Sequence, residues 1–326
     1  DTHQHVRRHA VRLAEQRAAN DETLRTAILN LADDPSQRER YQTAFSLGLL
    51  PDAAERQHAL YRLAQRAEQD AYLLFAVQTA TKEGSLALLS RAVHDEQFSS
   101  SSNGAEFLKR LAAQIRRQDR PQDVVPLTEL LVQLDDQEHP RLADLLIEFA
   151  VPADDAFSRR LRTGKLPDIL QRTLQRSIET ALDREQPELG RLAAVQQLAL
   201  GAWDDTGDAY FQLLEPTQTL PIQVATIQSL RRRSSPDVAT QLLDVWDDLS
   251  PTIRTEVIGL LMTRSMWRET LLQVLEQRRV KPSELTALQK QQLARDAGDV
   301  RWAAVDHATI DQSIDRVFKI YRAALE

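Results

Sequence analysis

The chain of 326 residues has no cysteine. It can form no disulfide, thiolate metal site or covalent haem attachment of its own. The lack of thiols is compatible with export but does not by itself fix a compartment. Glycine is scarce, at nine residues. Few turns at positive φ are then available, which argues against a β-rich fold and against glycine loops that cradle phosphate. Aromatic residues make up only 5%, so the core must rest on Leu, Ala, Val and Ile. No apolar run approaches the roughly 18 residues needed to span a bilayer; YLLFAV at 72–77 is far too short. Walker loops, G-x-S-x-G elbows, H-E-x-x-H helices and dinucleotide fingerprints do not occur. The opening DTHQHVRRHA has neither a signal-peptide core nor a starting Met. It begins inside a repeat and reads as part of a longer parent. A net charge of -7 and a pI near 5.6 give no overall attraction to nucleic acid.

What is present is a period. Arg7, Arg40 and Leu73 are equally spaced, as are Ala10, Thr43 and Ala76. Arg191, Gln223 and Arg254 recur near the other end, as do Ala194, Thr226 and Val257. A period in the thirties with helical patterning inside each unit denotes stacked helical hairpins. Prolines mark the helix starts, because the first helical N–H has no partner inside the helix. Asp34-Pro35, Ser235-Pro236 and Ser250-Pro251 each join a capping residue to proline. Pro221, Pro251 and Pro282 each open a unit in this reading, and Pro236 opens a second helix. Ile253, Val257, Leu260 and Leu261 share one helical face, and so do Val238, Leu242, Val245 and Trp246. Ala10, Ala76 and Ala194 stand where neighbouring helices approach closely.

The middle is less regular. SSSSNG at 99–104 reads as a polar loop. It separates N-terminal repeats at 1–98 from C-terminal repeats at 105–295. Helices read at about 105–117, 122–134, 140–150 and 167–183. The stretch 296–308 is mixed. TIDQSIDRVFKIYRAALE then reads as a terminal linker helix with Ile310, Ile314, Phe318 and Tyr321 as its apolar stripe.

HVRRHAVRLAE (5–15) and DDPSQRERYQTAFSLG (33–48) resemble HEAT repeats through Val6-Arg7, Asp34-Pro35, Arg40 and Ala44. The second unit departs from the pattern at Glu39, where Val is usual. VRRHAVRLAE, RYQTAFSLG and RVFKIYRAALE also resemble the helical region of large exported dehydrogenase-like proteins of the Planctomycetes and Verrucomicrobia type. The resemblance implies a preceding β-propeller, a following c-type cytochrome and a periplasmic or exported location. It implies haem in the parent only, because the Cys-x-x-Cys-His motif is absent here.

Candidate chemistry is thin. His3, His5 and His9 form the only histidine cluster. The His5–His9 spacing suits a metal on a helix face, but no third ligand is in sight and a solvent-facing terminus explains it as well. Asp204, Asp205 and Asp208 echo a calcium loop without its alternation or closing Glu. They read as caps in a polar loop, and the single Asp205-Thr206-Gly207 lacks the second carboxylate an aspartic protease needs. Trp203, Trp246, Trp267 and Trp302 are either hot spots of a binding face or core, with Trp246 assigned to core. The basic residues Arg159, Arg160, Arg162, Lys165, Arg172 and Arg176, with Arg231, Arg232 and Arg233, form the candidate interaction surface. Phosphate contacts are one use. Without interleaved aromatics, solvated helix faces or docking on an acidic neighbour are the better reading.

These features specify an all-α, right-handed α-solenoid of HEAT type with roughly eight to nine hairpins. It carries no catalytic residue, metal or cofactor of its own. The expected role is a scaffold between propeller and cytochrome; the alternatives are a stand-alone protein-interaction module and a nucleic-acid-binding protein.

Overall fold

The computed structural model describes residues 4–67, 70–151, 155–162, 164–298, 301–303 and 305. Among them the fold is all-α, with nineteen α-helices, short 3-10 turns and no strand. The residues of the expected terminal helix at 309–326 lie outside the described set. The chain divides into two compact units, Asp1–Leu170 and Gln171–Glu326.

The first unit contains α1 (Gln4–Ala18), α2 (Glu22–Asn30), α3 (Gln37–Leu47), α4 (Ala54–Gln65), α5 (Ala71–Ala80), α6 (Ser85–Val93), α7 (Glu96–Ser100), α8 (Ser102–Gln118), α9 (Pro121–Asp136), α10 (Leu142–Ala150) and α11 (Ala156–Leu161). α12 (Leu166–Leu182) carries the division between the units. The helices of the first unit lie in two rows. α1, α3, α5, α8 and α10 pack side by side in one row, and α2, α4, α6, α9 and α11 in the other. Each row packs on the other, and the interior between them holds Leu47, Leu60, Leu63, Leu73, Leu88, Phe107 and Phe149 at zero to one per cent exposure. Burying each such side chain contributes about 1.5–3 kcal/mol.

The second unit contains α13 (Glu188–Gln197), α14 (Trp203–Leu214), α15 (Leu220–Leu230), α16 (Asp237–Asp244), α17 (Pro251–Leu261), α18 (Ser265–Glu276) and α19 (Ala287–Ala297). α13, α15 and α17 pack in sequence as one row, and α16 packs on α18. Its core joins Val195, Tyr210, Ile222, Leu242, Val257, Trp267 and Leu271.

Proline marks some starts as expected. Pro251 is the first residue of α17, and Ser250 Oγ accepts the Ile253 N–H at 3.4 Å. Pro221 lies in the first turn of α15 after Thr219, and Pro236 stands just before α16. Pro35 lies one residue ahead of the Ser36 cap of α3. Pro282 opens only a 3-10 turn, Pro282–Glu284, while α19 begins at Ala287 behind a Thr286–Gln289 capping box. The reciprocal box satisfies two N-terminal donors and so outcompetes proline as the start signal.

Two expected loops are helical. In the 99–104 stretch, α7 ends at Ser100 and α8 begins at Ser102, with Ser101 as the joint. Ser101 Oγ donates to the Phe98 carbonyl at 2.7 Å and accepts the Gly104 N–H at 2.9 Å. The serines are capping chemistry rather than a break. A Cβ at Gly104 would lie 1.8 Å from the Phe98 carbonyl oxygen, so the tight joint requires glycine there. Asp204, Asp205 and Asp208 likewise stand exposed in the opening turns of α14, where carboxylates favour the helix dipole. Among the expected close-approach alanines, Ala76 and Ala194 are buried, but Ala10 is exposed and Val11 points inward in its place.

Candidate interaction surface

The recurrent arginine position has a structural cause. Arg191 on α13 donates from Nε to the Ala181 carbonyl at 3.0 Å and from Nη2 to Gln218 Oε1 at 2.7 Å. Gln223 on α15 reaches the carbonyls of Leu214 and Glu215 at 3.0 and 2.8 Å. Arg254 on α17 reaches those of Trp246 and Asp247, both at 3.1 Å. Arg56 on α4 does the same for Leu47 at 2.7 Å and extends to Ala80 at 2.5 Å. In each case a long polar side chain bonds carbonyls at or just beyond the end of a preceding helix, where intrahelical donors run out; Leu47, Glu215 and Trp246 also accept one backbone N–H each.

A second set of bonds joins side chains to carbonyls about one sequence period away. Arg62 donates to the Leu29 carbonyl, Gln78 to Arg110, Gln114 to Thr81 and Arg233 to Leu198; Arg264 donates to Arg231, the Trp267 indole to Ser235 and Arg279 to Leu243. Every one spans 32 to 36 residues. Arginine also stacks, over Tyr210 (Arg233), Trp246 (Arg254) and Trp267 (Arg264), at 4.9–5.4 Å from the ring centres.

In the first unit, aspartates at helix starts link neighbouring pairs, a feature the sequence reading missed. Asp34 accepts Arg7 through two bonds at 3.0 and 3.1 Å. Asp70 caps α5 and also accepts Tyr41 Oη at 2.7 Å and Gln37 Nε2. Asp95 caps α7 and accepts Tyr61 Oη at 2.5 Å. Asp155 caps α11 and takes the Arg116 guanidinium. Hydrogen bonds from Tyr61 and the Phe98 N–H hold the Asp95 carboxyl below the usual range. For Asp70 and Asp155, burial opposes the charged form, but the bonds they accept outweigh it and their values are also lowered. Burial, with the carboxylate partner, raises Tyr41 and Tyr61 above the ordinary phenol. A sequence signal existed: an Asp just ahead of each apolar helical run.

The expected cationic residues have divided roles. Arg159, Lys165, Arg172, Arg176, Arg231 and Arg232 are exposed. Arg160 pairs with Asp119, and Arg162 is half-buried near the Ala150 carbonyl. Arg233 is interior at 8% exposure, bonded to Leu198, Gly201 and Thr206, and is no surface residue. Arg159, Arg160, Arg162 and Lys165 belong to the first unit and the other five to the second.

Trp246 and Trp267 are buried. Trp203 stacks on Tyr210, and Trp302 packs against the second core. His9 is exposed, His3 lies outside the described residues, and the His5 side chain is likewise undescribed. Among the described residues, no group of three His, Asp or Glu side chains is placed to hold a metal.

Two grooves open in the first unit. One of about 360 Å³ is lined by Glu22, Arg25, Leu50 and Arg56 among others. A larger one of about 760 Å³ lies between α6 and α9, with Asp52, Glu83, Arg120 and Asp123 on its wall. Asp52 is held by Arg56 at 2.8 Å. Burial raises the Asp123 carboxyl while Arg120 opposes it. Gly84 on this wall has φ +78°, and a Cβ there would lie 1.8 Å from Gln57 Nε2.

No helix of the described residues is long and apolar enough to cross a membrane. No family profile, characterised protein or solved structure matches the chain.

Proposed function

We propose that this chain is a non-catalytic protein-interaction scaffold built as a HEAT-type α-solenoid. The observation that carries the proposal is the set of polar bonds spanning 32 to 36 residues, which join neighbouring helical pairs within each of the two units. Long polar side chains used in this way hold the helices of a unit in register and leave the outer faces of its rows open to a partner. Placement between a propeller and a cytochrome rests on the resemblance alone, and the interaction-module reading is the better supported.

The test is native mass spectrometry of the protein isolated from its source without crosslinking. The scaffold reading expects a stoichiometric complex with at least one other polypeptide, or with further domains of a longer parent. A lone chain that turns over a substrate would refute it.

A further inference from the structure

The outer face of the α1–α3–α5–α8 row differs from the rest of the molecule in two independent ways. The first is charge. These four helices contain ten Arg and Lys against three Asp and Glu, in a chain of net charge -7. Of the three acids, Glu39 is buried, Glu15 accepts Gln42 and Ser46, and Glu106 is paired with Arg110. Of the cations, Arg7, Arg110 and Arg116 are paired with Asp34, Glu106 and Asp155, while Arg12, Arg38 and Lys109 are exposed on α1, α3 and α8.

The second is apolar exposure. Among the described residues, six of the eleven exposed large hydrophobic side chains fall between Val6 and Phe75. Tyr72 is 79% exposed, Phe75 58% and Phe45 49%, in a chain with only 5% aromatics. α3 is flanked by α1 and α5 and backed by α2 and α4; α5 is flanked by α3 and α8 and backed by α4. Each helix therefore has one face left for solvent, and Phe45, Tyr72 and Phe75 occupy it. Exposed aromatics grouped on adjacent elements and rimmed by charge of one sign mark an interaction site.

We infer that this face is a docking site for an acidic amphipathic segment of a protein partner. Its apolar side chains seat against Phe45, Tyr72 and Phe75, and its carboxylates meet Arg12, Arg38 and Lys109. The exposed aliphatic side chains Leu13 on α1 and Leu49 just after α3 favour a peptide over a stacked nucleic-acid strand, which takes aromatic platforms in a groove. The inference rests on the scaffold reading and specifies its partner class.

The experiment is selection of a displayed random library of peptides of about 16 residues on the full chain. The comparison is the triple variant Phe45→Ala, Tyr72→Ala, Phe75→Ala, with its fold confirmed by an unchanged melting curve. Direct titration of labelled oligo-dT of about thirty nucleotides runs in parallel. The expected result is enrichment of sequences interleaving Asp or Glu with Leu, Phe or Trp. Their affinity falls about tenfold or more in the triple variant and in Arg38→Glu. Enrichment equal on both proteins, or of basic peptides, overturns the inference. So does oligo-dT binding that the triple variant abolishes. If a native complex exists but survives the triple substitution, this inference fails while the scaffold reading stands; absence of any native complex removes both.

Discussion

Substituting Arg56→Met tests whether side-chain caps on helix ends carry the packing of the first unit. Arg56 is 3% exposed. Its guanidinium joins the Leu47 carbonyl at the end of α3, the Ala80 carbonyl at the end of α5 and the Asp52 carboxylate. Methionine fills similar space with no donor. Leu47 keeps a second donor, the Leu50 N–H at 3.2 Å, and Asp52 keeps Gln57. Ala80 is the last residue of α5 and loses its guanidinium partner. One bare buried carbonyl costs about 1–3 kcal/mol, and the lost charge-assisted bonds add about 1 kcal/mol or more. The expected loss is therefore about 2–4 kcal/mol, read from the midpoint and slope of urea unfolding of the first-unit transition. Arg56→Lys, with one point charge instead of a fork, should recover only part. A loss under about 0.5 kcal/mol for Arg56→Met would refute the assignment of a structural role to this arginine.

Further outcomes follow from the same geometry. Asp70, Asp95 and Asp155 have depressed values in the fold, so their contribution is present above the ordinary carboxylate value near 4 and is lost as pH falls through the depressed values. Asp70→Asn combined with Asp95→Asn should flatten the acid limb of a stability–pH curve; an unchanged limb contradicts the linkage. Tyr41 and Tyr61 have raised values, so their contribution is complete below the ordinary phenol value near 10 and declines as pH rises beyond it. Replacing both with Phe should remove that alkaline decline. Gly104→Ala forces a contact with the Phe98 carbonyl and should cost about 2 kcal/mol or more, whereas Gly190→Ala on α13 meets open space and should stabilise by about 0.5–1 kcal/mol in thermal melts. Arg233→Ala should destabilise by about 1–3 kcal/mol, because the Gly201 carbonyl loses its partner while Leu198 keeps the Gly201 N–H, and Arg231→Ala should fall within about 0.5 kcal/mol.

The recurrence near the C-terminal end was legible because one physical need recurs there: Arg191, Gln223 and Arg254 each reach back to carbonyls of a preceding helix end. The N-terminal set does not share it, because Arg7 and Arg40 bond at Asp34 and Pro35 and Leu73 is core. Helix identity in the middle was legible too, with α8, α9, α10 and α12 close to their expected bounds. The failures share a cause. Ser101 and Asp204 are polar residues that a composition reading places in loops, yet each serves a helix start. Arg233 was assigned to a surface because charge in a sequence says nothing of burial, while the carbonyls that draw it inward belong to residues about 32–35 positions away. The aromatic, cationic face escaped notice for the same reason. Arg38 and Phe45 lie on α3 and Tyr72 and Phe75 on α5, and only the side-by-side packing of the two helices makes the pairs neighbours.

The central claim, that nearest-neighbour bonds between helical pairs hold this chain together, is most directly tested by residue-resolved native-state hydrogen exchange at rising urea. A stack of repeats should open in graded steps, with amides of α3, α5, α15 and α17 protected most and protection falling toward the outer pairs of each unit. Exchange of all the described helices through one common global opening would contradict it.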